Sequence, residues 1–421
     1  MQIQNRPSDD ISTTDSGDPS PLKAWLAVGA VTIGAFAFVT TEFLPVGLLP
    51  QVAHTFGVLP GTAGLMVTIP GIMAAISAPG MMLGAGRVDR RLILIMLSVM
   101  LLASNLLSAF APTFSLMLVG RALLGAGLGA FWTLALAAAG RLVKAYEAPR
   151  ATAAILAGVT CATVIGVPLG TFIAGLASWR ASFIATAVLV AVALILQIVL
   201  LPSLPSKAAL RFADLVEVVR RPFPRKSLLM VVLVFGAHFS SYTYIAPFLQ
   251  DAAFSASTIT LVLLGFGIVG FVSNFAVSAI VASRLKSSLA TMTVLLLCAL
   301  LILPFLKSVP LAAIAMVLAW GIAFGAIPLC LSVWMQDATP DLPEAGSALF
   351  VGIIQVAIAV GSSVGGTIVD RVGIPADFWL GSALALLGLI TLASFSSRDK
   401  SHEPSVHEPV TSEPQKECVE A

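Results

Sequence analysis

Between Trp25 and Gln51 the chain reads WLAVGAVTIGAFAFVTTEFLPVGLLPQ, an apolar run with one carboxylate, Glu42, set inside it. About 20 consecutive apolar residues cross a bilayer as a helix, and this run is longer. A glutamate is costly to keep there, which makes Glu42 a candidate functional group before anything else is known. The plainer alternative is an interfacial glutamate reaching back to water. The continuation through Leu44, Val46, Leu48 and Leu49 argues against it.

The pattern recurs along the chain, which is 58% hydrophobic and only 10% charged, a membrane composition. About twelve spans follow from the apolar runs. The first six are Ala24–Leu49, Thr62–Leu83, Leu92–Ala111, Phe114–Ala139, Ala151–Leu176 and Ala181–Leu201. The second six are Ser227–Leu249, Thr258–Ala282, Leu289–Leu306, Leu311–Trp334, Ala345–Val369 and Phe378–Phe395. The expected fold is an all-α membrane protein with 12 transmembrane helices in two six-helix halves, residues 24–201 and 227–396. Residues 202–226 form a polar linker in which Phe212, Leu215, Val216 and Val219 recur at helical spacing, as on an amphipathic interfacial helix. Residues 1–23 and 397–421 read as disordered polar tails.

The basic residues orient this array. With the amino terminus inside, all of the 23 Lys and Arg fall on the inner side except Arg180, Lys307 and Arg371 outside and Arg121 within a span. Both termini are therefore expected in the cytoplasm, in a multi-pass membrane protein. A net charge of +2 implies no nucleic-acid partner. The four cysteines, Cys161, Cys298, Cys330 and Cys418, have neither metal nor disulfide spacing. His402 and His407 read as solvated tail residues rather than metal ligands. No cofactor or metal is expected.

Arg121, in the fourth span, is the cation that answers Glu42. Each lies about seven residues from the outer end of its apolar run, roughly 10 Å deep. Two opposite charges at one depth should compensate each other or share a polar network. Arg121, Gly125, Leu128 and Trp132 fall on one helix face, where Trp132 is a stacking surface or a packed core residue. The fifth span carries Gly158, Gly166, Gly170 and Gly175 with Pro168, a pattern of close packing and bending suited to gating. In the second half His238, Tyr242 and Ile245 share a face, while Tyr244 points elsewhere. Asn105, Asn274 and Gln355 add amides. Each polar group either joins helices or contacts a ligand, with Trp132, His238, Tyr242, Asn274 and Gln355 the substrate-site candidates. His54 reads as a solvated residue at the outer mouth.

RALLGAGLGA around Arg121 resembles the fourth-helix motif of major facilitator transporters. GVPLG in the fifth span is similar to the motif of their proton-antiporter branch, and TEFLPVGLLP around Glu42 to its first-helix acidic motif; SWRASF (Ser178–Phe183) also fits. The loop at Asp89–Arg91 matches less well. Ala85 stands where the family has glycine, and the glycine and basic pair that follow are missing. Within the twelve-span drug and sugar efflux branch, TEFLPVGLLPQVA, GRALLGAGLGAFWTL, YTYIAPF and TLVLLGFGIVGFV resemble purine ribonucleoside efflux permeases. The resemblance implies proton-coupled efflux of small solutes by alternating access in a monomer. Purine ribonucleosides such as inosine and guanosine lead, and sugar (arabinose-like) or multidrug efflux is the alternative. It further implies proton coupling at Glu42 and Arg121, and gating at Asp89, Arg90, Gly158, Gly166, Pro168 and Gly170. A membrane enzyme would need clustered catalytic or metal-binding residues, and a receptor an output domain; neither is visible.

Overall fold

The computed structural model describes residues 21–84, 88–204 and 212–395, which contain helices and turns and no strands. The tails and the motif residues Ala85, Gly86 and Arg87 lie outside the described residues. The first half comprises α1 (Pro21–Phe56), α2 (Pro60–Ala63), α3 (Leu65–Gly84), α4 (Arg90–Phe110), α5 (Phe114–Leu142), α6 (Ala148–Cys161), α7 (Val167–Leu176) and α8 (Trp179–Leu200). A π-helical stretch, Ala162–Gly166, joins α6 to α7 into one span. The linker folds as α9 (Phe212–Arg220). The second half comprises α10 (Pro222–Tyr242), α11 (Ile245–Asp251), α12 (Ala256–Ser278), α13 (Val281–Ile302), α14 (Pro310–Ala338), α15 (Pro343–Arg371) and α16 (Ile374–Ala393). Among the described residues, 11 helices are long and apolar enough to span a membrane, or up to 12 with α10–α11 taken as one bent span.

Side-chain caps close several helix starts. Thr113, Ser178 and Ser255 each accept a backbone N–H of the first turn of α5, α8 and α12. The outward surface is apolar: Phe172, Leu176, Val192, Ile195 and Val199 are exposed. In a soluble protein such a surface would be a liability, whereas here it faces lipid. Helix association then rests on close packing and on polar joints rather than on apolar burial from water.

Four expectations change. The seventh run, read as one helix, bends by 41° between α10 and α11. There Pro247 removes an N–H that Thr243 would otherwise receive, and Thr243 and Tyr244 turn out of register. The first helix runs on to Phe56, so Glu42 lies about 21 Å from its end at 1.5 Å per residue, deeper than the apolar run alone indicated. His54 is exposed as expected, but on that helix rather than in a loop. In the linker helix, Val218 is the fully buried residue and Val219 is exposed, so α9 rests on the protein through Leu215 and Val218.

Three of the fifth-span glycines, Gly158, Gly166 and Gly170, face α1. A Cβ on Gly158 would lie 2.7 Å from the Thr32 carbonyl oxygen, and one on Gly166 2.9 Å from Thr40 Oγ1; Gly170 meets Leu44. They join helices inside the first half. Across the halves the same span contributes the Val164 backbone, which a Cβ on Gly267 of α12 would meet at 2.8 Å. The halves also touch where α15 packs on α2 and α3 and where α1 meets α11.

Candidate functional site

Two prolines prepare the seat of Arg121. A helical carbonyl accepts from the N–H four residues on, and proline has none. Pro45 therefore frees the carbonyl of Thr41, and Pro70 that of Met66. Arg121, wholly buried, donates to both: Nη1 to Thr41 O at 2.7 Å and Nε to Met66 O at 2.7 Å. Its Nη2 donates to the backbone carbonyl of Glu42 at 2.9 Å. Gly125, one turn along α5, brings α3 this close, since a Cβ there would stand 2.6 Å from Pro70 Cα. Asn105 of α4 completes the cluster by donating to Thr41 Oγ1 at 3.1 Å.

Glu42 and Arg121 thus share a network without forming an ion pair among the described residues. The Glu42 side chain turns the other way, to the second half, where its Oε1 accepts from Gln355 Nε2 of α15 at 3.2 Å. Both residues are buried, and Gln355 Oε1 has no hydrogen-bond partner among the described residues. Beside them Phe43 of α1 stacks on Phe239 of α10, ring centroids 5.6 Å apart, a second contact between the halves.

At the end of the bundle that carries the α1–α2 turn, the halves are latched. Asp370 of α15 accepts from the Gly61 N–H at 2.6 Å and the Thr62 hydroxyl at 2.9 Å. Tyr244, fully buried, donates to Ser362 O at 2.8 Å and lies 3.4 Å from Gly61 O. Thr68 and Ser362 hydroxyls meet at 2.9 Å. Glycine makes this possible, because a Cβ on Gly61 would run into the Gly366 carbonyl. Tyr244, which the sequence places off the face shared by His238 and Tyr242, bonds Ser362 within the second half and packs against Gly61 and Gly64 of the first. The bend after Tyr242 turns it there.

The other substrate-site candidates disperse. His238 lies in an aromatic cluster, stacked on Phe324 and Tyr242, with Nδ1 accepting from Trp320 Nε1 at 3.0 Å. Its neutral ring then carries the proton on Nε2. The Asn274 amide donates to Gly325 O at 3.1 Å, a joint between α12 and α14. Trp132 is half-buried against the apolar core of the first half. At the opposite end, Asp89 caps α4 through Arg91 N and accepts from Ser203 Oγ at 2.5 Å and Leu204 N at 2.8 Å. The Ser203 hydroxyl, then these backbone donors, hold its carboxyl below the usual range. These Asp89 contacts reach α4 and the start of the linker, and the Arg90 N–H bonds Leu204 O in the same corner.

One further buried carboxylate, Asp377, falls outside the apolar runs read from the sequence. It stands in the first turn of α16, one residue before the apolar run read as the twelfth span.

A family model described as Major Facilitator Superfamily matches residues 31–362. The chain belongs to the Major Facilitator Superfamily. A relative from Salmonella typhimurium (strain LT2), named a purine ribonucleoside efflux pump, is 35% identical over 371 residues, 88% of this chain and 94% of that one. A pump of the same name from Salmonella enteritidis PT4 is 34% identical over the same shares. Among solved structures, the human organic anion transporter MFSD10 superposes with a TM-score of 0.66 at 18% identity, over 89% of this chain and 100% of that one. That likeness concerns the fold. As a major facilitator protein the chain is a multi-pass membrane transporter of small molecules and not an enzyme.

Proposed function

We propose that this transporter exports purine ribonucleosides such as inosine and guanosine across the bacterial inner membrane in exchange for inward-moving protons. The observation that carries the proposal is the Glu42–Gln355 bond, which ties the acid of one half to an amide of the other. The similarity to pumps of that printed name supports the substrate class.

In this reading Glu42 carries the coupling proton. As a carboxylate it accepts from Gln355 Nε2; as an acid it can donate to Gln355 Oε1, which lacks a partner. Loading the proton thus exchanges one cross-half bond for another, and parting of the halves removes both. Arg121 holds the backbone at residues 41 and 42, so the acid keeps its position while its bond changes. With both termini cytoplasmic, the Asp370–Tyr244 latch lies at the external end, and the conformation described is one with that end closed. The ribonucleoside offers a base to stack and hydroxyls to bond. Phe43, next to Glu42 in the chain, and Phe239 stacked on it supply ring faces, and Gln355 Oε1 supplies an acceptor. Gating by Asp89 and Arg90 acts in this scheme through the corner they make with residues 203–204.

The energy suffices. One charge falling through about 150 mV releases about 3.4 kcal/mol, at roughly 2.3 per 100 mV. At about 1.4 kcal/mol per tenfold, that holds a neutral solute at a gradient of a few hundredfold.

The test uses energised inside-out vesicles and radiolabelled inosine, with arabinose and a cationic dye as comparators. Inosine uptake should collapse with an uncoupler and in Glu42→Gln. Full proton-driven uptake in that variant would remove Glu42 from the mechanism. Transport of the dye or the sugar instead would leave the coupling and discard the substrate.

A further inference from the structure

The coupling scheme leaves Asp377 unused. None of its surface is exposed, and neither carboxylate oxygen has a hydrogen-bond partner among the described residues. A methyl built on Gly365 of α15 would stand 2.5 Å from Asp377 Oδ1 and 3.0 Å from the backbone carbonyl oxygen of Ser240 on α10. A carboxyl oxygen and a carbonyl oxygen, both acceptors, therefore border one small space between three helices. Without a hydrogen the two repel, and an ionised carboxylate buried with no donor is strongly disfavoured. A proton on the acid neutralises the charge and turns one acceptor into a donor.

We propose that Asp377 is a second proton-binding site, occupied while the two halves are latched, in which the neutral acid donates to the Ser240 carbonyl. The carboxylate takes up one proton to form the acid, and no other bond changes. The inference deepens the proton-coupled reading by placing a protonatable group in the second half, but its geometry is independent of Glu42.

The surroundings hold no compensating cation. From α10, Ser240 Oγ donates to Ala237 O at 3.1 Å, Ser241 Oγ lies 3.5 Å from both Ser240 Oγ and the backbone carbonyl of Asp377, and His238 is turned to Trp320. From α15 come Gly365 and, beyond it, Asp370, which is engaged by Gly61 and Thr62; Arg371 is exposed. The charges of α13, Arg284 and Lys286, lie at its opposite end, and Lys307 pairs with Asp251 at 3.6 Å. Tyr244 lies one glycine away: its hydroxyl packs on Gly366 and is committed to Ser362. Loss of the proton would place a bare charge directly behind the latch. Water must then enter between α10, α15 and α16, which loosens the seat of Tyr244.

Infrared spectroscopy of the full chain in lipid nanodiscs tests this directly. At neutral pH the carbonyl stretch of a protonated carboxyl should be present, should shift when aspartate carries a 13C-labelled side-chain carboxyl, and should vanish in Asp377→Asn. The other described aspartates are all at least partly exposed. The aspartate-labelled band should persist in Glu42→Gln, whereas the band that shifts with labelled glutamate should not. Absence of any aspartate-shifted band in the wild-type protein overturns the proposal, whether or not the asparagine variant folds. So does a band that survives in Asp377→Asn, or one that sodium displaces at constant pH, which would assign the site to a metal ion. Failure of the Glu42 scheme shows instead as proton-driven inosine transport by Glu42→Gln, with the aspartate band unchanged.

Discussion

Arg121 shows how proline and arginine act together in a bilayer. Each freed carbonyl left unpaired in the apolar interior costs about 1–3 kcal/mol, and Arg121 satisfies two of them. Lysine has a point charge and no planar fork, so it cannot reach three carbonyls on two helices. Arg121→Lys should lower thermal stability in detergent by an amount matching about one or two lost bonds. Pro45→Ala should restore an N–H to Thr41 O and compete with Arg121. We expect it to stabilise the isolated helix yet slow transport, which purified reconstituted protein can report. The motif in the sequence identified Arg121. Its partners are also legible as TEFLP and MVTIP, where a proline follows each accepting residue by four.

At the scale of elements, the contact between α1 and the α6–α7 span depends on a stripe of small residues. Gly166→Val should overpack against Thr40 and cost about 1–3 kcal/mol, seen as a lower melting temperature. Gly175 has nothing within 4 Å of its Cβ position, and Gly175→Ala should be neutral in the same assay. Sequence spacing singled out all these glycines alike, because only the neighbouring helix distinguishes a tight position from an open one. The linker behaves similarly. Arg221 bonds Asp341 at 2.7 Å and Glu217 at 2.5 Å, tying α9 to the α14–α15 turn. The Asp341 bond, then that of Glu217, raises the Arg221 guanidinium further, and Arg221 holds the Asp341 carboxyl below its ordinary 3.8. A depressed carboxylate stabilises above its unfolded value and loses that contribution as pH falls through the lower, folded one. The tie should thus be intact at neutral pH and fail only below about pH 4, with salt weakening it because both side chains are partly exposed. Exchange of the α9 amides against pH and salt checks this.

For the whole molecule, polar contacts between the halves include the latch, the Glu42–Gln355 bond and the Thr260 hydroxyl donating to Thr171 Oγ1 at 3.0 Å. Each lost bond of about 1.4 kcal/mol shifts an equilibrium between closed and open halves tenfold. Tyr244→Phe and Asp370→Asn should each move the population toward opening at the α1–α2 end. Distances between spin labels on the α1–α2 turn and the end of α15 should lengthen in both variants. Unchanged distances in both would mean that packing alone closes that end.

Span number, the two-half layout and the burial of Glu42 and Arg121 inside the bundle were all present in the one-dimensional pattern. Apolar length and rare buried charge need no partner to be visible, since the bilayer imposes them on each helix separately. What Glu42 bonds to depended on α15 arriving from 313 positions away. The roles of Tyr244 and Asp370, the dispersal of His238 and Asn274 into helix joints, and the isolation of Asp377 likewise arise from contacts between distant segments. Local spacing says which side of a helix a residue occupies. Only the packed bundle decides what stands opposite it, and hence whether a polar group there is satisfied, shared or left alone.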